Sequence, residues 1–114
     1  MFEQRDIVMV AFELKQGVQY HPAIIISNNA IHEIEGVYYC VMCSFEIKPK
    51  EFSLELTPEM IIGGKPMPKT TYVKTHLLQP YLPTEFNKPK IGKLTIPAFE
   101  LLKQKINETL FDLN

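Results

Sequence analysis

The amino-terminal part of the chain alternates short apolar runs with turn-forming residues, a pattern typical of β-strands. Residues 6–12 (Asp-Ile-Val-Met-Val-Ala-Phe) are rich in large apolar and β-branched side chains and predict a first strand. The three consecutive isoleucines within residues 23–27 predict a second strand that is buried on both faces. Pro22 disfavours helix before this strand, and Asn28 predicts a turn after it. Residues 14–19 are expected to form the loop between the two strands.

Three more strands are predicted in the middle of the chain. Residues 37–45 form an apolar run, residues 51–56 alternate polar and apolar side chains, and residues 70–77 have high β-propensity. The prolines and glycines of residues 58–68 predict a long irregular connection, and Pro80 is expected to end the last strand.

The carboxyl-terminal residues have the period of an amphipathic helix, and this is the one helix that the pattern predicts. Thr95 is a suitable N-cap residue, and Pro97 lies in the first turn, where its missing N–H costs nothing. Apolar side chains then recur at spacings of three and four residues, at Phe99, Leu102, Ile106, Leu110 and Leu113. The polar residues 30–36 are expected to connect two strands. About five short strands followed by one helix predict a mostly β (α+β) fold, a small and strongly bent barrel with the helix packed on it.

Composition and length narrow the class of protein. The chain has 114 residues, of which 46% are hydrophobic and 22% charged, so we expect one globular domain over residues 1–114 rather than a disordered chain. No apolar run approaches the ~20 residues of a membrane-spanning helix. The charged residues 1–6 do not resemble a signal peptide, so a cytoplasmic protein without membrane contact is expected.

The charge is unevenly distributed although the net charge is only −1. Residues 65–93 contain six lysines and one glutamate, whereas residues 1–64 are acidic overall. Such a cationic stretch can face phosphates or form a solvated loop, and its charge alone does not distinguish the two.

Cys40 and Cys43 have the spacing of a Cys-x-x-Cys motif. On a strand, residues three apart point to opposite faces, so we expect neither a disulfide nor a metal site but two thiols packed in a core. No metal ion and no cofactor are expected.

Five short motifs follow one another in an order that resembles a known family. Residues 5–8 (Arg-Asp-Ile-Val) and, after a Gly-containing loop, residues 21–28 (His-Pro-Ala-Ile-Ile-Ile-Ser-Asn) are similar to a Gly-Asp strand and an Arg-Pro that opens a hydrophobic strand. Residues 41–44 match a strand ending in Thr or Ser, and residues 71–74 match a Ser-x-Val strand. Residues 91–94 (Ile-Gly-Lys-Leu) match a Gly-Lys-Leu turn into a terminal helix. This order resembles the MazF/PemK-like toxins of type II toxin–antitoxin systems.

The resemblance implies a fold, an activity and partners. It implies an SH3-like barrel of about five to seven short strands with a carboxyl-terminal amphipathic helix, working as a homodimer. The implied activity is that of a metal-independent endoribonuclease, which cleaves single-stranded RNA such as mRNA by 2′-OH attack and leaves 2′,3′-cyclic phosphate and 5′-OH ends. A cognate antitoxin protein would inhibit it by laying an extended or helical segment into the active-site groove.

The resemblance also implies four candidate catalytic residues. His21 stands where the family has Arg, and Ser44 stands at its Thr or Ser. Lys74 and His76 stand where some relatives have Arg and Asp, and their period-two spacing predicts one shared strand face. Together these residues supply groups that titrate near neutrality, a hydroxyl and a fixed cation. A histidine does not replace the permanent charge and fork of an arginine, so a diverged, non-catalytic SH3-like barrel that binds RNA or a protein remains an alternative.

Three further residues are candidate RNA-binding groups. Tyr20, beside His21, can stack on a base, and Lys65 and Lys69 can contact the phosphate backbone. Each candidate also has a structural interpretation: such lysines commonly form a solvated surface, and a serine at a strand end commonly hydrogen-bonds its own turn.

Overall fold

Seven antiparallel strands form one curled sheet in the computed structural model of this chain, which describes residues 2–112 except for the side chains of residues 88 and 89. In chain order the elements are β1 (Asp6–Leu14), β2 (Gly17–Ile25), α1 (Asn29–Glu35), β3 (Tyr38–Ser44), β4 (Ser53–Leu56), β5 (Ile61–Ile62), β6 (Thr71–Tyr81), β7 (Asn87–Leu94) and α2 (Ile96–Asn107). Along the sheet the order is β4-β6-β3-β2-β1-β7-β5, so β4 and β5 are its two edges. The predicted mostly β fold with a carboxyl-terminal helix is confirmed.

Both faces of the central strands are buried, in two separate hydrophobic cores. Ile7 and Ile24 pack in the core that also contains Phe99 of α2. The next residues along β1 and β2, Val8 and Ile25, pack in the core on the opposite face. Successive side chains of a strand point to opposite faces, so neighbouring residues contribute to different cores. The prediction of an isoleucine-rich strand buried on both faces is confirmed.

The two cysteines follow the same alternation. Cys40 packs in one core and Cys43 in the other, and both are free thiols. Burial raises the pKa of each thiol to about 12, so both are protonated and unreactive at neutral pH. The expectation of two core-packed thiols is confirmed.

Helix α2 begins as predicted but does not continue as predicted. The Thr95 hydroxyl oxygen accepts a hydrogen bond from the Ala98 N–H at 3.2 Å, and Leu102 is fully buried. After α2 the chain forms a π-helical turn, and Leu110 is 45% exposed. The wider repeat of a π turn rotates the later side chains away from the apolar stripe. Leu113, the last predicted member of the stripe, lies outside the described residues.

The hydrophobic pattern missed the β1–β2 hairpin, strand β7 and the short strand β5, which lies within the irregular connection expected over residues 58–68. The expectation of a loop over residues 14–19 is wrong, because only Lys15 and Gln16 separate the two strands. Gly17 then starts β2 with φ of 115°, a conformation that glycine adopts without steric cost. In β7, Pro89 and the lysines interrupt the apolar alternation, yet this strand pairs with both β1 and β5.

The first helix was also missed. Residues 29–35 form α1, where a connection is expected from the polar sequence. The Asn28 side chain accepts a hydrogen bond from the Ile31 N–H at 3.2 Å, and Gly36 ends the helix in the left-handed conformation. None of the residues of α1 is buried, so it has no apolar stripe that could reveal it. Within residues 2–112, no helix is long and apolar enough to cross a membrane.

Arg5, directly before β1, has a positive φ of 79° although it is not a glycine. Its N–H donates to the Ile25 carbonyl and its carbonyl accepts from the Leu94 N–H, both at 2.8 Å. Its guanidinium group also donates to the Leu94 carbonyl at 2.8 Å. These bonds tie β1 to both neighbouring strands and hold Arg5 in a conformation that costs an L-residue about 1–2 kcal/mol.

We expect Arg5→Gly to be more stable than Arg5→Ala by about 1 kcal/mol in free energy of unfolding. Both variants lack the guanidinium group, so the difference isolates the backbone conformation. At a position with a negative φ the alanine variant is the more stable of the two, because alanine loses less backbone entropy on folding than glycine does. Urea unfolding of the two variants measures the difference. An alanine variant at least as stable as the glycine variant contradicts a left-handed residue 5.

Candidate active site

A cavity of about 640 Å³ opens where strands β2 and β3 separate. These strands pair only from Ala23↔Met42 to Ile25↔Cys40, whereas β2 stays paired with β1 back to Gly17. Pro22 has no N–H to donate to a neighbouring strand, so the β2–β3 pairing ends beside it. If the pairing register of β2 and β3 is extended by two residues beyond Ala23↔Met42, His21 lies opposite Ser44.

Five of the seven sequence-predicted site residues line this β2–β3 cavity: Tyr20, His21, Ser44, Lys65 and Lys69. They come from β2, from the end of β3 and from the segment before β6, which are distant in sequence. Tyr20 is 65% exposed at the mouth of the cavity. The fold therefore assembles a histidine, a hydroxyl, two amines and an exposed aromatic ring around one space.

His21 is half-buried in the wall of the β2–β3 cavity. Its ring lies edge-on to Phe12 with a centroid distance of 6.4 Å, and its Nε2 atom is buried without a hydrogen-bond partner among the described residues. Burial lowers the pKa of His21 below the ordinary 6.5, and a hydrogen bond with the Cys43 backbone opposes this shift in part. At neutral pH the imidazole is therefore mostly uncharged and able to accept a proton.

Ser44 ends β3 with its hydroxyl turned to the next residues. Its Oγ accepts a hydrogen bond from the Glu46 N–H at 3.1 Å. A serine at the end of a strand commonly forms such a hydrogen bond within its own turn. Because the oxygen serves as acceptor, the hydroxyl proton is free to be donated to another group, such as a phosphate oxygen.

Residues 65–69 (Lys-Pro-Met-Pro-Lys), called here the 65–69 strap, form one wall of the cavity. Gly64 anchors the strap: at φ of 71° its backbone lies so close to Ile91 that a Cβ atom would overlap the Ile91 carbonyl. At the other end of the strap, the Lys69 amine lies 5.5 Å from the centre of the Phe45 ring, a cation–π geometry. The strap is thus held at both ends, and its two lysines are placed at the cavity.

Sequence reasoning missed Phe45 and Glu46, which line the same cavity. Phe45 is 47% exposed, so its ring is available for contact with a ligand. The only signal in the sequence is that both residues directly follow the hydroxyl at the end of a strand. Nothing in the apolar pattern separates Phe45 from the core aromatics that precede it.

Lys74 does not line the β2–β3 cavity and is not on an exposed face of the sheet. Only 3% of the residue is exposed. Its amine donates to the carbonyls of Glu46 and Lys48, each at 2.9 Å, and to the Ser53 hydroxyl at 2.6 Å. Burial lowers the pKa of Lys74, and the nearby Glu46 carboxylate opposes the shift. The amine therefore holds in place the segment that follows Ser44.

His76 also lies outside the cavity. Its ring packs on Phe52 with a centroid distance of 4.8 Å, and burial and the charge of Lys74 both lower the pKa of His76. The cause is an irregularity in the β3–β6 pairing, where four residues of β6, 74–77, lie opposite the single residue Met42. Such a bulge carries this part of β6 out of regular register with β3, so the strand face predicted for Lys74 and His76 does not lie at the cavity.

Residues 3–110 match the sequence model of the PemK-like, MazF-like toxins of type II toxin–antitoxin systems. The chain belongs to this family. No curated protein matches it.

Solved structures of MazF toxins have the same fold as this MazF-like toxin. MazF from Deinococcus radiodurans superposes with a TM-score of 0.73 at 12% identity, covering 96% of each chain. The toxin MazF-mt6 of Mycobacterium tuberculosis gives 0.72 at 13% identity, covering 96% of this chain and 99% of that one. An endoribonuclease in complex with its cognate antitoxin, from a Mycobacterial species, superposes with a TM-score of 0.68 at 17% identity. This match covers 96% of this chain and 92% of that one.

We expect Gly64→Ala to lower the free energy of unfolding clearly more than Gly63→Ala does. The two glycines have nearly the same positive φ, 70° and 71°, so both variants bear the same backbone cost of about 1 kcal/mol. A Cβ at Gly63 meets nothing within 4 Å, whereas one at Gly64 overlaps backbone atoms. The additional loss for Gly64→Ala is about 1–3 kcal/mol, typical of overpacking. Equal losses in urea unfolding would contradict the anchoring of the strap on Ile91.

Proposed function

We propose that this toxin is an endoribonuclease that cleaves single-stranded RNA, such as cytoplasmic mRNA, by attack of a ribose 2′-hydroxyl on the adjacent phosphate. Membership of the toxin family supports the proposal. The observation that carries it is the β2–β3 cavity, which brings together His21, Ser44, Lys65 and Lys69. A base, a hydrogen-bond donor and cations around one space are the groups that this reaction needs.

His21 is the proposed general base. The reaction starts when a group with a free lone pair removes the 2′-hydroxyl proton, and a neutral imidazole can do so at physiological pH. Burial lowers the pKa of His21, which keeps the ring neutral before the reaction. Its Nε2 has no hydrogen-bond partner among the described residues, so its lone pair is not used within the described part of the protein.

Ser44 and the strap lysines are the proposed partners of the phosphate. The negative charge on the phosphate oxygens increases as the 2′-oxygen attacks, and hydrogen-bond donors and cations at that point lower the barrier. The free hydroxyl proton of Ser44 and the amines of Lys65 and Lys69 are such donors. The amines are also the proposed proton donors to the leaving 5′-oxygen. The expected products carry 2′,3′-cyclic phosphate and 5′-OH ends.

The proposed partners are a second copy of the chain and a cognate antitoxin. One structure with the same fold is an endoribonuclease in complex with its cognate antitoxin, which supports an antitoxin for this chain. A segment of that partner laid across Tyr20 and Phe45 would close the mouth of the β2–β3 cavity and exclude RNA.

A non-catalytic barrel that binds RNA is the second candidate function. The specific observation in its favour is His21 itself. With its pKa lowered by burial, the ring carries no fixed charge at neutral pH, unlike an arginine at the same position.

We expect the purified protein to cleave a long RNA in EDTA at a short recurring motif. Because His21 and Ser44 contact the reacting groups, His21→Ala is expected to slow cleavage by about 100-fold or more and Ser44→Ala by about tenfold or more. His32→Ala is the control: this histidine stacks on Tyr38, away from the cavity, and cleavage close to the wild-type rate is expected. Mapping of 5′ ends and of the terminal phosphates measures the outcome.

Folded wild-type protein that leaves the RNA intact would contradict the proposed activity. Binding without cleavage, with an affinity that falls steeply as salt rises, would establish the second candidate instead. If His32→Ala abolishes cleavage as fully as His21→Ala does, the activity does not reside in the β2–β3 cavity.

A further inference from the structure

A second cavity, of about 470 Å³, lies between the two edges of the curled sheet. Glu55 and Leu56 of edge strand β4 line it on one side, and Ile61 of edge strand β5 lines it on the other. Pro58 and residues 63–70 complete its lining, and we call it the seam cavity. Its volume is within the about 300–1,000 Å³ typical of small-molecule pockets.

The floor of the seam cavity is apolar and packs on the protein core. Leu56 is 5% exposed and belongs to the core that packs on α2, and Ile61 and Met67 pack against the same core. Gly92 lets β7 lie against this floor, because a Cβ there would come within 2.8 Å of the Ile61 side chain. A flat aromatic ligand would therefore meet a preformed apolar surface.

The polar groups of the seam cavity are at its rim. The four ion pairs found among the described residues do not involve Glu55, so its carboxylate is available to a ligand. Thr70 adds an exposed side chain at the other side of the opening. A carboxylate accepts hydrogen bonds and donates none, so it favours a ligand with N–H groups at its edge.

The 65–69 strap is a wall shared by both cavities. All five of its residues line the β2–β3 cavity on one side and the seam cavity on the other. An RNA strand whose phosphates contact Lys65 and Lys69 therefore lies next to both spaces at once. With the scissile step in the first cavity, a neighbouring base can reach the second.

We propose that the seam cavity binds one unpaired nucleobase of the RNA next to the cleaved step, and that Glu55 selects a base with an exocyclic amino group. The inference rests on the proposed function. The apolar floor stacks the ring, the strap amines hold the phosphates, and the Glu55 carboxylate accepts from the amino group that uracil lacks.

A protein segment is the competing occupant. Unpaired strand edges can accept an added strand from a partner. Here the edges are only four residues (β4) and two residues (β5) long, which offers few backbone hydrogen bonds. The two strap lysines give the rim the charge that complements phosphate, so the observations favour a nucleotide.

The test is base selection from a randomised single-stranded RNA pool carrying 2′-fluoro riboses, which binds but cannot react through a 2′-hydroxyl. The wild type is expected to prefer an amino-bearing base at one position of the bound sequence. Glu55→Gln should weaken that preference about tenfold while leaving other positions unchanged. Thr70→Trp, which fills the opening from an exposed position, should remove the same preference. Glu59→Gln is the matched control, because Glu59 is exposed nearby but does not line the cavity.

An unchanged preference in both Glu55→Gln and Thr70→Trp would overturn the nucleobase site, as would a wild type that selects no base at any position. If the Thr70→Trp variant keeps base selection but is no longer inhibited by a co-expressed antitoxin, the cavity belongs to the protein partner. A Glu55-dependent preference in a wild type that does not cleave ordinary RNA would support the nucleobase site and refute the proposed endoribonuclease. The two proposals therefore fail separately.

Discussion

The separation of β2 from β3 is the constraint on which the candidate site depends. A strand continues beside its neighbour only while both can exchange backbone hydrogen bonds, and Pro22 has no N–H to donate. The pairing ends at Ala23↔Met42, while β2 continues with β1 as a two-stranded ribbon. The space that opens between the two strands places His21 and Ser44 on facing walls. A backbone constraint in the middle of a buried sheet thereby creates a cavity with chemically active side chains.

Two buried anchors then shape the remaining walls. The Lys74 amine, bound to the carbonyls of Glu46 and Lys48, holds the segment that carries Phe45 and supports the turn at Ser44. Gly64, packed on the Ile91 backbone, holds the 65–69 strap. Neither anchor needs to contact a substrate, yet each determines where a contacting group lies. The buried Lys74 amine therefore supports the wall of the cavity from outside it.

The sequence predicted the fold where local signals and burial agree. The strands around Ile7, Ile24 and Val41 were recognisable because each is apolar on both faces. The start of α2 was recognisable because the capping hydroxyl of Thr95 precedes an apolar stripe. α1 has no buried face, and β7 contains a proline and several lysines, so neither has a periodic signal. Lys74 was misplaced for a different reason: the bulge over residues 74–77 depends on the pairing with β3, which no local pattern contains.

The central claim is that RNA phosphate lies beside His21, and titration of the histidine rings by NMR tests it most directly. In the free protein, the midpoint for His21 should lie below 6.5 because burial disfavours the charged ring. Bound single-stranded RNA with 2′-fluoro riboses should raise that midpoint, because a phosphate anion stabilises the imidazolium. The ring signals of His32, which stacks on Tyr38 away from the cavity, should not shift when the RNA binds. A His21 midpoint that stays unchanged while the RNA is bound would contradict the account.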